Sequence, residues 1–567
     1  MQPANPSAAV KPGASAAEMY KASKGGDGLR IREDLPRFVQ EGWESLSKAD
    51  KDLLKWVGVF FRNPTPGKFM MRIRMPNGFA NSEQLRAIAD VSRRLGNCLL
   101  DITTRQQIEL RGFTIESVPE IWEKLRGVNL HTLQTGMDNV RNINGCALAG
   151  MEPSELLDAS PVVFELDRAI VGADGNPEFT NLPRKFNIVI TGCLGNCTHA
   201  ESQDIALVPA SKGGRIGFNM LVGGKMGSGG FTIASPLDVF IEPEHAAVTT
   251  RELVLIYRDH GPRDARARCR LSFLIEEWGL PRLRSELESR LGRELEPAGT
   301  DARSPAHSDH VGVTRQKQPG LAAVGLSVAT GRLEPGEMEE LAHLADHYGD
   351  GQVRLTINQN AILPNVPEAS VERLMLEPLL RKFSPRPSPF MRGLVACTGT
   401  DFCNLAQIET KQLGAQLSQA LEQRLGKEGA PVTMHWSGCT AGCGNHQAAD
   451  IGFRGQKINV GGQLVDAVAI YVGGRTGRDA VAGEQILDAV PCDDSLVDVV
   501  AGLVANLRSG GREKHDGALI EAAPVELVSI EPLAADSRRH ANGLEIQPPN
   551  PSSGAAAPRL PFEIGGA

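Results

Sequence analysis

The 567-residue sequence predicts an internally duplicated α+β fold with pseudo-twofold symmetry. TGCLGNCTHAESQD at 191–204 and SGCTAGCGNHQAAD at 437–450 share their Gly, both Cys and the final Asp at an offset of 246. Further upstream, residues 83–110 resemble residues 336–363 at an offset of 253. Because each half of the chain contains one copy of both repeats, each half is predicted to contain two modules.

The upstream module of the first half has the pattern of a strand–helix–strand unit. Leu85, Ile88 and Leu95 follow helical spacing between MMRIRM (70–75) and DITTRQQIEL (101–110), which have strand character. In the downstream modules, FNIVIT (186–191) and VTMHWS (432–437) predict strands that lead directly into Gly-Cys turns. Cysteines on such turns can converge on one point.

The composition narrows the function classes. Lys and Arg number 60 against 68 Asp and Glu, which gives a net charge of −8, and 41% of residues are hydrophobic. This is a globular composition that argues against nucleic-acid binding. The sequence shows no run of about 18 apolar residues and no signal-peptide h-region, so we expect no membrane association, a cytoplasmic location and reduced thiols.

Four cysteines in the second half have the spacing of a metal centre. Cys397 and Cys403 form C-x5-C, Cys439 and Cys443 form C-x3-C, and glycines flank both pairs. Four thiolates suit an iron–sulfur cluster, whereas zinc usually prefers tighter knuckles in small domains. Spacing alone favours a cluster and leaves structural zinc or unligated thiols as alternatives.

The first half repeats the C-x3-C pair as Cys193 and Cys197. The corresponding upstream segment offers only Cys146 and no C-x5-C, so a second cluster lacks a ligand unless His199 or another residue supplies it. We therefore expect Cys193 and Cys197 to be unligated thiols.

ACTGTDFCNLAQIETK (396–411) followed by HWSGCTAGCGNHQAADIGF (435–453) resembles the signature of the nitrite and sulfite reductase haemoprotein family. The resemblance implies that family's fold, with ferredoxin-like half-domains, sirohaem and a [4Fe–4S] cluster. It also implies that Cys397, Cys403, Cys439 and Cys443 ligate the cluster and that Cys443 is shared with the sirohaem iron. A shared thiolate would pass electrons directly between the two groups.

The resemblance and the composition together imply a division of the chain into seven parts. These are an N-terminal arm (1–45), a first ferredoxin-like half-domain (62–130), a first sirohaem and substrate domain (138–300), a linker (303–319), a second ferredoxin-like half-domain (320–385), a [4Fe–4S] and sirohaem domain (393–530) and a loose C-terminal tail (531–567).

Four motifs of the first half, FMMR (69–72), TTRQ (103–106), DNVR (138–141) and PRKFN (183–187), are similar to family motifs in order and spacing. By this resemblance the substrate would be bound by Arg72, Arg141, Lys185 and Asn187, and sirohaem would be contacted by Thr104, Arg105, Gln106, Arg141 and Cys443. Cations are needed because sirohaem carboxylates, cluster and substrate are all anionic. Glu109 departs from the pattern, since the family more often has Gln there.

Lys185 and Asn187 point to nitrite as the substrate. Sulfite reductases of the family generally have a second Lys at the position of Asn187, and residues i and i+2 of a strand share a face. One fewer cation suits nitrite, which carries less negative charge than sulfite. The sequence therefore predicts six-electron reduction of nitrite to ammonia by a monomer that receives electrons from ferredoxin or a flavoprotein.

Three other functions remain open from the sequence. Sulfite reduction to sulfide would use the same cofactors. An oxygenase similar to precorrin-3B synthase would share the cysteine signature but not the need for Arg72, Arg141 and Lys185. A metal-stapled scaffold or an electron-transfer protein would contain no tetrapyrrole.

Overall fold

Four β-sheets form the framework of the molecule, which the computed structural model describes over residues 15–227, 230–305 and 307–509. The strands of the first half are β1 (Val59–Phe61), β2 (Phe69–Ile73), β3 (Phe79–Asn81), β4 (Leu100–Ile102), β5 (Ile108–Phe113), β6 (Val140–Asn144), β7 (Phe186–Ile190), β8 (Ile205–Lys212), β9 (Arg215–Val222), β10 (Ser235–Ile241) and β11 (Thr300–Asp301). Those of the second half are β12 (Gly312–Arg315), β13 (Leu321–Leu326), β14 (Arg332–Leu333), β15 (Gln352–Leu355), β16 (Ala361–Pro367), β17 (Leu394–Ala396), β18 (Met434–Ser437), β19 (Ile451–Val460), β20 (Gln463–Val472) and β21 (Glu484–Pro491).

Helices cover the sheets, and short 3-10 turns join many of the elements. The α-helices are α1 (Ala16–Ser23), α2 (Leu35–Glu41), α3 (Lys48–Leu53), α4 (Ser82–Leu95), α5 (Val118–Gly127), α6 (Ser160–Ile170), α7 (Pro243–His260), α8 (Leu271–Leu291), α9 (Pro335–Tyr348), α10 (Val371–Leu374), α11 (Leu379–Lys382), α12 (Pro389–Arg392), α13 (Lys411–Leu425) and α14 (Asp494–Arg508). None of the helices in the described ranges is long and apolar enough to cross a bilayer.

The two ferredoxin-like sheets exchange an edge strand. Their orders are β1-β2-β5-β4-β14 and β12-β13-β16-β15-β3, so each sheet ends in a strand from the other half of the chain. Arg332 of β14 pairs with Asp101, and Arg354 of β15 pairs with Phe79. Helices α4 and α9 also pack on each other, and one hydrophobic core runs through both modules. The predicted duplicated α+β fold is therefore confirmed.

The two cysteine-bearing sheets have matching topologies. One has the order β6-β7-β8-β9-β10, with β11 paired to β8 as a sixth strand, and the other has the order β17-β18-β19-β20-β21. In both, the first strand pairs in parallel with the second and the second with the third, and the remaining neighbours along the order pair antiparallel. Each of these sheets packs its helices over a core of its own. Since the carboxyl ends of parallel strands meet at one edge, the turns after the first two strands of each sheet lie side by side.

The structure corrects the predicted extended arm at 1–45. Residues 1–14 lie outside the described residues, but α1, α2 and the intervening turn pack against the body, with Leu29 and Phe38 fully buried. The ammonium of Lys21 donates to the carbonyl of Leu182 at 2.8 Å and lies 3.3 Å from the Asp138 carboxylate. The content of Pro, Ala and Ser led to the prediction of an extended arm, but the apolar residues among them are spaced so that they anchor this segment.

The predicted linker at 303–319 is also built into the fold. Residues 312–315 form β12 at the edge of a ferredoxin-like sheet, Arg303 pairs with Asp301 and Glu201, and His310 is buried. A third difference concerns the predicted single strand at 101–110, which is two strands, β4 and β5, joined by a turn at 103–107. The predicted tail at 531–567 and the end of the predicted 393–530 domain lie outside the described residues.

Candidate active site

A polar cleft lies where three elements of the two halves meet. Thr104 and Arg105 come from the β4–β5 turn, Lys185 and Asn187 from the start of β7, and Cys443 from the turn after β18. Lys185 and Asn187 line the same cleft, as the alternation of a strand requires. The cleft thus joins sequence-predicted residues from both halves of the chain.

Positive charge dominates the surroundings of this cleft. Burial is the largest cause that lowers the pKa values of Arg105, Arg141 and Lys185, and neighbouring guanidinium groups lower them further. In the described part of the chain, no carboxylate lies within ion-pair distance of these three side chains, although carboxylates pair with many arginines elsewhere. Arg141 is buried, and Arg105 and Lys185 are half-buried. Cations withdrawn from water without anionic partners are costly, so the cleft fits a polyanionic cofactor and an anionic substrate.

Arg72 and Arg141 converge beside the cleft on the carbonyl of Thr135. The Nη1 atom of Arg72 donates to this oxygen at 3.2 Å, and that of Arg141 donates to it at 2.5 Å. Arg72 also pairs with Glu109 at 2.7 Å, which leaves Arg141 as the guanidinium with less compensation. The two predicted substrate arginines are therefore neighbours in the structure.

Asn187 is held by a buried ion pair that the sequence did not reveal. Its backbone N–H donates to Oδ2 of Asp204 at 2.8 Å, and Arg270 binds both oxygens of the same carboxylate at 2.9 and 2.6 Å. The Asn187 Oδ1 and Arg270 Nη1 atoms are buried and have no hydrogen-bond partner among the described residues. Arg270 lies in the arginine-rich segment 258–279, a composition that could have pointed to this residue, but spacing does not single it out.

The four predicted cluster cysteines lie in two adjacent turns, after β17 and after β18. Backbone N–H groups point at three of the sulfurs: Gly438 to Cys397 at 3.1 Å, Leu405 to Cys403 at 3.4 Å and Ala441 to Cys439 at 3.5 Å. Burial raises the pKa of the Cys439 thiol to about 11, and the other three cysteines contribute to the rise. Amide donors directed at the sulfurs, together with the raised pKa of Cys439, suit thiolates neutralised by iron.

The first cysteine turn docks on the ferredoxin-like sheet of the first half. The guanidinium of Arg111 lies 4.5 Å from the ring centre of Phe402 and donates to Thr398 Oγ1 at 3.3 Å. The Thr104 hydroxyl reaches the second turn and donates to the carbonyl of Cys443 at 3.2 Å. These contacts set the cluster turns against the cationic cleft.

Gln106, predicted to contact sirohaem, is instead used by the protein backbone. Its backbone has a positive φ of 55°, and its buried Nε2 donates to the carbonyls of Gly145 and Leu355 at 3.0 and 2.9 Å. Its Oε1 accepts from the Gly145 N–H at 3.2 Å. The side chain therefore braces the turn after β6 and is not free to bind a cofactor.

Glu109, the departure from the family pattern, bridges two arginines. Its carboxylate contacts Arg72 at 2.7 Å and Arg111 at 2.5 Å, while Arg111 also contacts Asp101 at 2.6 Å. These cations keep the pKa of Glu109 below its usual value although burial opposes them.

His199 is a further side chain of the cleft: its Nδ1 is unpartnered among the described residues, and its ring lies between those of His307 and His435.

A duplicated fold with a cationic cleft beside four cysteines defines the class of a redox protein that binds anionic groups. Family models identify it further: the "Nitrite and sulphite reductase 4Fe-4S domain" matches residues 136–295 and 388–518, and the "Nitrite/Sulfite reductase ferredoxin-like half domain" matches residues 62–128 and 314–380. The chain belongs to the nitrite and sulphite reductase family. This membership confirms the predicted fold and the predicted cofactors, sirohaem and a [4Fe–4S] cluster.

Relatives of this chain occur in bacteria, plants and archaea. It is 44% identical to a ferredoxin–nitrite reductase of Synechococcus elongatus over 84% of this chain and 94% of the relative. It is 41% identical to the assimilatory ferredoxin-dependent nitrite reductase of Haloferax mediterranei over 87% and 88%. The solved structure of Mycobacterium tuberculosis NirA superimposes with a TM-score of 0.81 at 30% identity and covers 89% of this chain and 95% of that one.

Proposed function

We propose that this chain catalyses the six-electron reduction of nitrite to ammonia with electrons from ferredoxin. The observation that carries the proposal is the cleft in which Lys185 and Asn187 of one half face the Cys443 turn of the other. The relatives from Synechococcus elongatus and Haloferax mediterranei are both named ferredoxin-dependent nitrite reductases, which supports both the substrate and the donor. A cytoplasmic location and a monomeric state remain predictions from the sequence.

The cysteine turns are proposed to hold the [4Fe–4S] cluster through Cys397, Cys403, Cys439 and Cys443. Their amide donors would stabilise negative charge on the sulfurs, which sets how readily the cluster accepts an electron. Cys443, which lines the cleft, would be shared with sirohaem. When bound, the coupled pair supplies electrons one at a time to an anion in the cleft.

The cations of the first half are proposed to bind and protonate that anion. Arg105 and Arg141 would neutralise carboxylates and substrate, because guanidinium groups bind oxyanions well and stay protonated. Lys185 has a pKa held below its usual value by burial and by Arg270 and Arg105, so its proton is easier to transfer than that of an exposed lysine. A bound anion next to the Lys185 amine would favour its protonated form, so that the side chain regains its charge after each proton transfer.

Asn187 is proposed to select nitrite over sulfite. Its neutral amide occupies the strand face next to Lys185, where a second ammonium would add charge. The Asp204–Arg270 pair fixes the backbone of Asn187, and the side-chain oxygen remains available to a ligand or its protons. One fewer positive charge lowers the preference for the more highly charged anion.

Parallel turnover assays test the proposal. The anaerobically purified chain, reduced with a viologen dye, receives nitrite or sulfite, and ammonium and sulfide are measured together with the visible spectrum. We expect sirohaem bands and dominant ammonium formation. Dominant sulfide would overturn the substrate assignment, and absence of turnover with cofactors bound would overturn the proposed activity.

The donor and the role of Asn187 need separate measurements. Replacing the dye by reduced ferredoxin should sustain turnover at low ionic strength; turnover with a reduced flavoprotein alone would overturn the ferredoxin assignment. Asn187→Lys should shift the nitrite-to-sulfite turnover ratio by about 10-fold toward sulfite. An unchanged ratio in a variant that retains both cofactors would contradict the charge argument.

A further inference from the structure

Three cysteines and one histidine of the first half meet at a second, separate point. The sulfurs of Cys146, Cys193 and Cys197 and a ring nitrogen of His310 all lie within 4.8 Å of one another. All four residues are buried, with exposed fractions of 0%, 1%, 7% and 6%. The sequence prediction of unligated thiols at Cys193 and Cys197 missed this arrangement because His310 follows more than a hundred residues later.

The three cysteines occupy places equivalent to cluster cysteines of the second half. Cys193 and Cys197 correspond to Cys439 and Cys443 at the offset of 246. Cys146 corresponds to Cys397, since the amide oxygen of Gln106 accepts from the residue before Cys146 just as that of Gln359 accepts from the residue before Cys397. The missing equivalent is Cys403, and His310 provides a fourth donor from a different direction.

The segment that carries His310 is fastened to the cysteine turn. The N–H of Ser304 donates to the carbonyl of Leu194 at 2.8 Å, and the N–H of Ser308 donates to the carbonyl of Gly195 at 2.9 Å. A Cβ atom on Gly195 would lie 3.1 Å from the Cβ of Ser308, so this close approach favours glycine. These backbone contacts therefore fix the position of the His310 imidazole next to the three sulfurs.

The His310 ring is oriented as in many metal sites. Its Nε2 lies 3.2 Å from the Cys146 sulfur. Its Nδ1 lies 3.3 Å from the Ser308 hydroxyl and 3.4 Å from a carboxylate oxygen of Glu152. A carboxylate or hydroxyl on the second ring nitrogen fixes the tautomer and orientation of a metal-bound histidine.

We propose that Cys146, Cys193, Cys197 and His310 bind one zinc ion. Tetrahedral zinc with Zn–S bonds of about 2.3 Å places its sulfurs about 3.8 Å apart, within the observed spread. A [4Fe–4S] cube binds one thiolate per iron and separates those sulfurs by roughly 6 Å. In the described residues, the second-half cysteines form no three-sulfur group within 4.8 Å, as a larger cluster requires.

The site has the character of a structural zinc centre. Four protein donors complete the tetrahedron and leave no open position for a substrate. Ala147, Leu148, Ala323 and Ile362 pack around the cysteines and keep water away. Since Ala323 and Ile362 belong to β13 and β16, zinc would fasten the segment joining the halves at the contact between them.

Metal analysis of the full-length, tag-free holoenzyme from zinc-replete cells tests the proposal without a variant. We expect about one zinc per chain in addition to cofactor iron, and zinc X-ray absorption with about three sulfur and one nitrogen neighbours. Zinc below about 0.2 per chain would overturn the proposal. An excess of about four irons per chain over the iron of the sirohaem and the [4Fe–4S] cluster would also overturn it. A zinc-free mononuclear iron centre or a disulfide among these cysteines would do the same.

Paired variants locate the metal. His310→Ala and Cys193→Ser should each lose at least about 80% of the zinc while the spectra of sirohaem and the [4Fe–4S] cluster persist, and should lower Tm by several degrees. Cys98→Ser, at an exposed thiol, is the control and should keep the zinc. Full zinc retention in both site variants would overturn the assignment. If both variants fail to fold, the absorption spectrum of the unaltered holoenzyme still decides.

Discussion

The two C-x3-C turns of this molecule occupy equivalent places in sheets of the same topology, but their surroundings differ. The second-half turn contacts Thr104 of the β4–β5 turn through the carbonyl of Cys443, and Arg72 pairs with Glu109 across β2 and β5 of the same sheet. The first-half turn faces β13 and β16, where Gly325 and Ile362 hold those positions at the offset of 253. Cations accompany the turn proposed to bind large anionic groups, and apolar side chains pack against the turn proposed to bind one small ion.

The comparison shows how a duplicated fold can specialise. Asp204 and Asp450 accept from the backbone of β7 and at the start of β18 in the same way, through the N–H groups of Asn187 and Thr433. The scaffold is therefore retained in both halves. Function differs because a few side chains change: Lys185 and Asn187 have Pro431 and Thr433 at the corresponding positions. Under the proposed assignment, these charged side chains and Cys403, which has no equivalent in the first half, distinguish the cofactor site from its counterpart, while the backbone geometry is shared.

The last cysteine of each turn, Cys443 or Cys197, is expected to have the largest and most different effects when it is replaced. Cys443→Ser should reduce nitrite turnover at least about 1,000-fold, because the proposed shared thiolate is lost. Cys197→Ser should remove zinc but keep turnover within about threefold, since that site takes no part in the chemistry. The measurements are turnover per sirohaem and electron paramagnetic resonance of the reduced cluster. Similar losses in both variants would contradict the division of roles.

A smaller but still large effect is expected at the cationic cleft. Lys185→Ala should lower turnover about 100-fold with both cofactors bound, because a proton donor and a substrate cation are lost together. Lys212→Ala, at the far end of β8 in the same sheet, is the control. Steady-state kinetics across pH tests the assignment. Because the pKa of Lys185 is lowered, activity should fall at a lower pH than it would if this lysine had its ordinary pKa. Unchanged turnover in Lys185→Ala would refute it.

The buried carboxylate of the first ferredoxin-like sheet predicts an acid-dependent effect. Glu109→Gln should lower the free energy of unfolding by about 2 kcal/mol at pH 7, because Arg72 and Arg111 lose a charged partner. The native pKa of Glu109 lies below its ordinary value, so its stabilisation is complete above pH 4.5 and is lost as pH falls through the native pKa.

Urea unfolding from pH 3 to 7 measures this difference. The gap between the parent chain and Glu109→Gln should narrow toward acid, because the parent loses the stabilisation that the variant already lacks. Ile362→Val, at the corresponding place in the other half, is the control and should show a gap independent of pH. A constant gap for Glu109→Gln would show that the ion pairs contribute nothing to its stability.

The smallest effect is expected at Gln106 and Gln359, whose side-chain amides hydrogen-bond to backbone groups of the cysteine turns. Gln106→Ala and Gln359→Ala each leave backbone groups without partners and should each cost about 1–2 kcal/mol in the free energy of unfolding. Gln106→Ala should leave sirohaem content unchanged, because the amide is spent on the backbone. Sirohaem content and chemical denaturation report on the two claims separately. Loss of sirohaem with unaltered stability would restore the role predicted from the sequence.

Much of the fold was predictable because it depends on local patterns. The repeats located both cysteine turns, and strand alternation placed Lys185 and Asn187 in one cleft. The exchange of β3 and β14 was not predictable, since strand periodicity does not specify the partner strand. His310 was missed because a ligand that joins distant segments leaves no spacing signal. The backbone role of Gln106 depends on a turn with positive φ, which its neighbours in sequence do not reveal.

The exchanged strands also have a consequence for biosynthesis. The edge of the first ferredoxin-like sheet beyond β4 stays open until β14 has left the ribosome, because Asp101 pairs with Arg332. At about 5–20 residues per second, synthesis of the intervening chain takes roughly 10–45 seconds. During that interval the unpaired edge can bind another nascent chain. Slower translation or loss of a chaperone should therefore reduce the yield of this protein more than that of proteins whose sheets are completed by neighbouring segments.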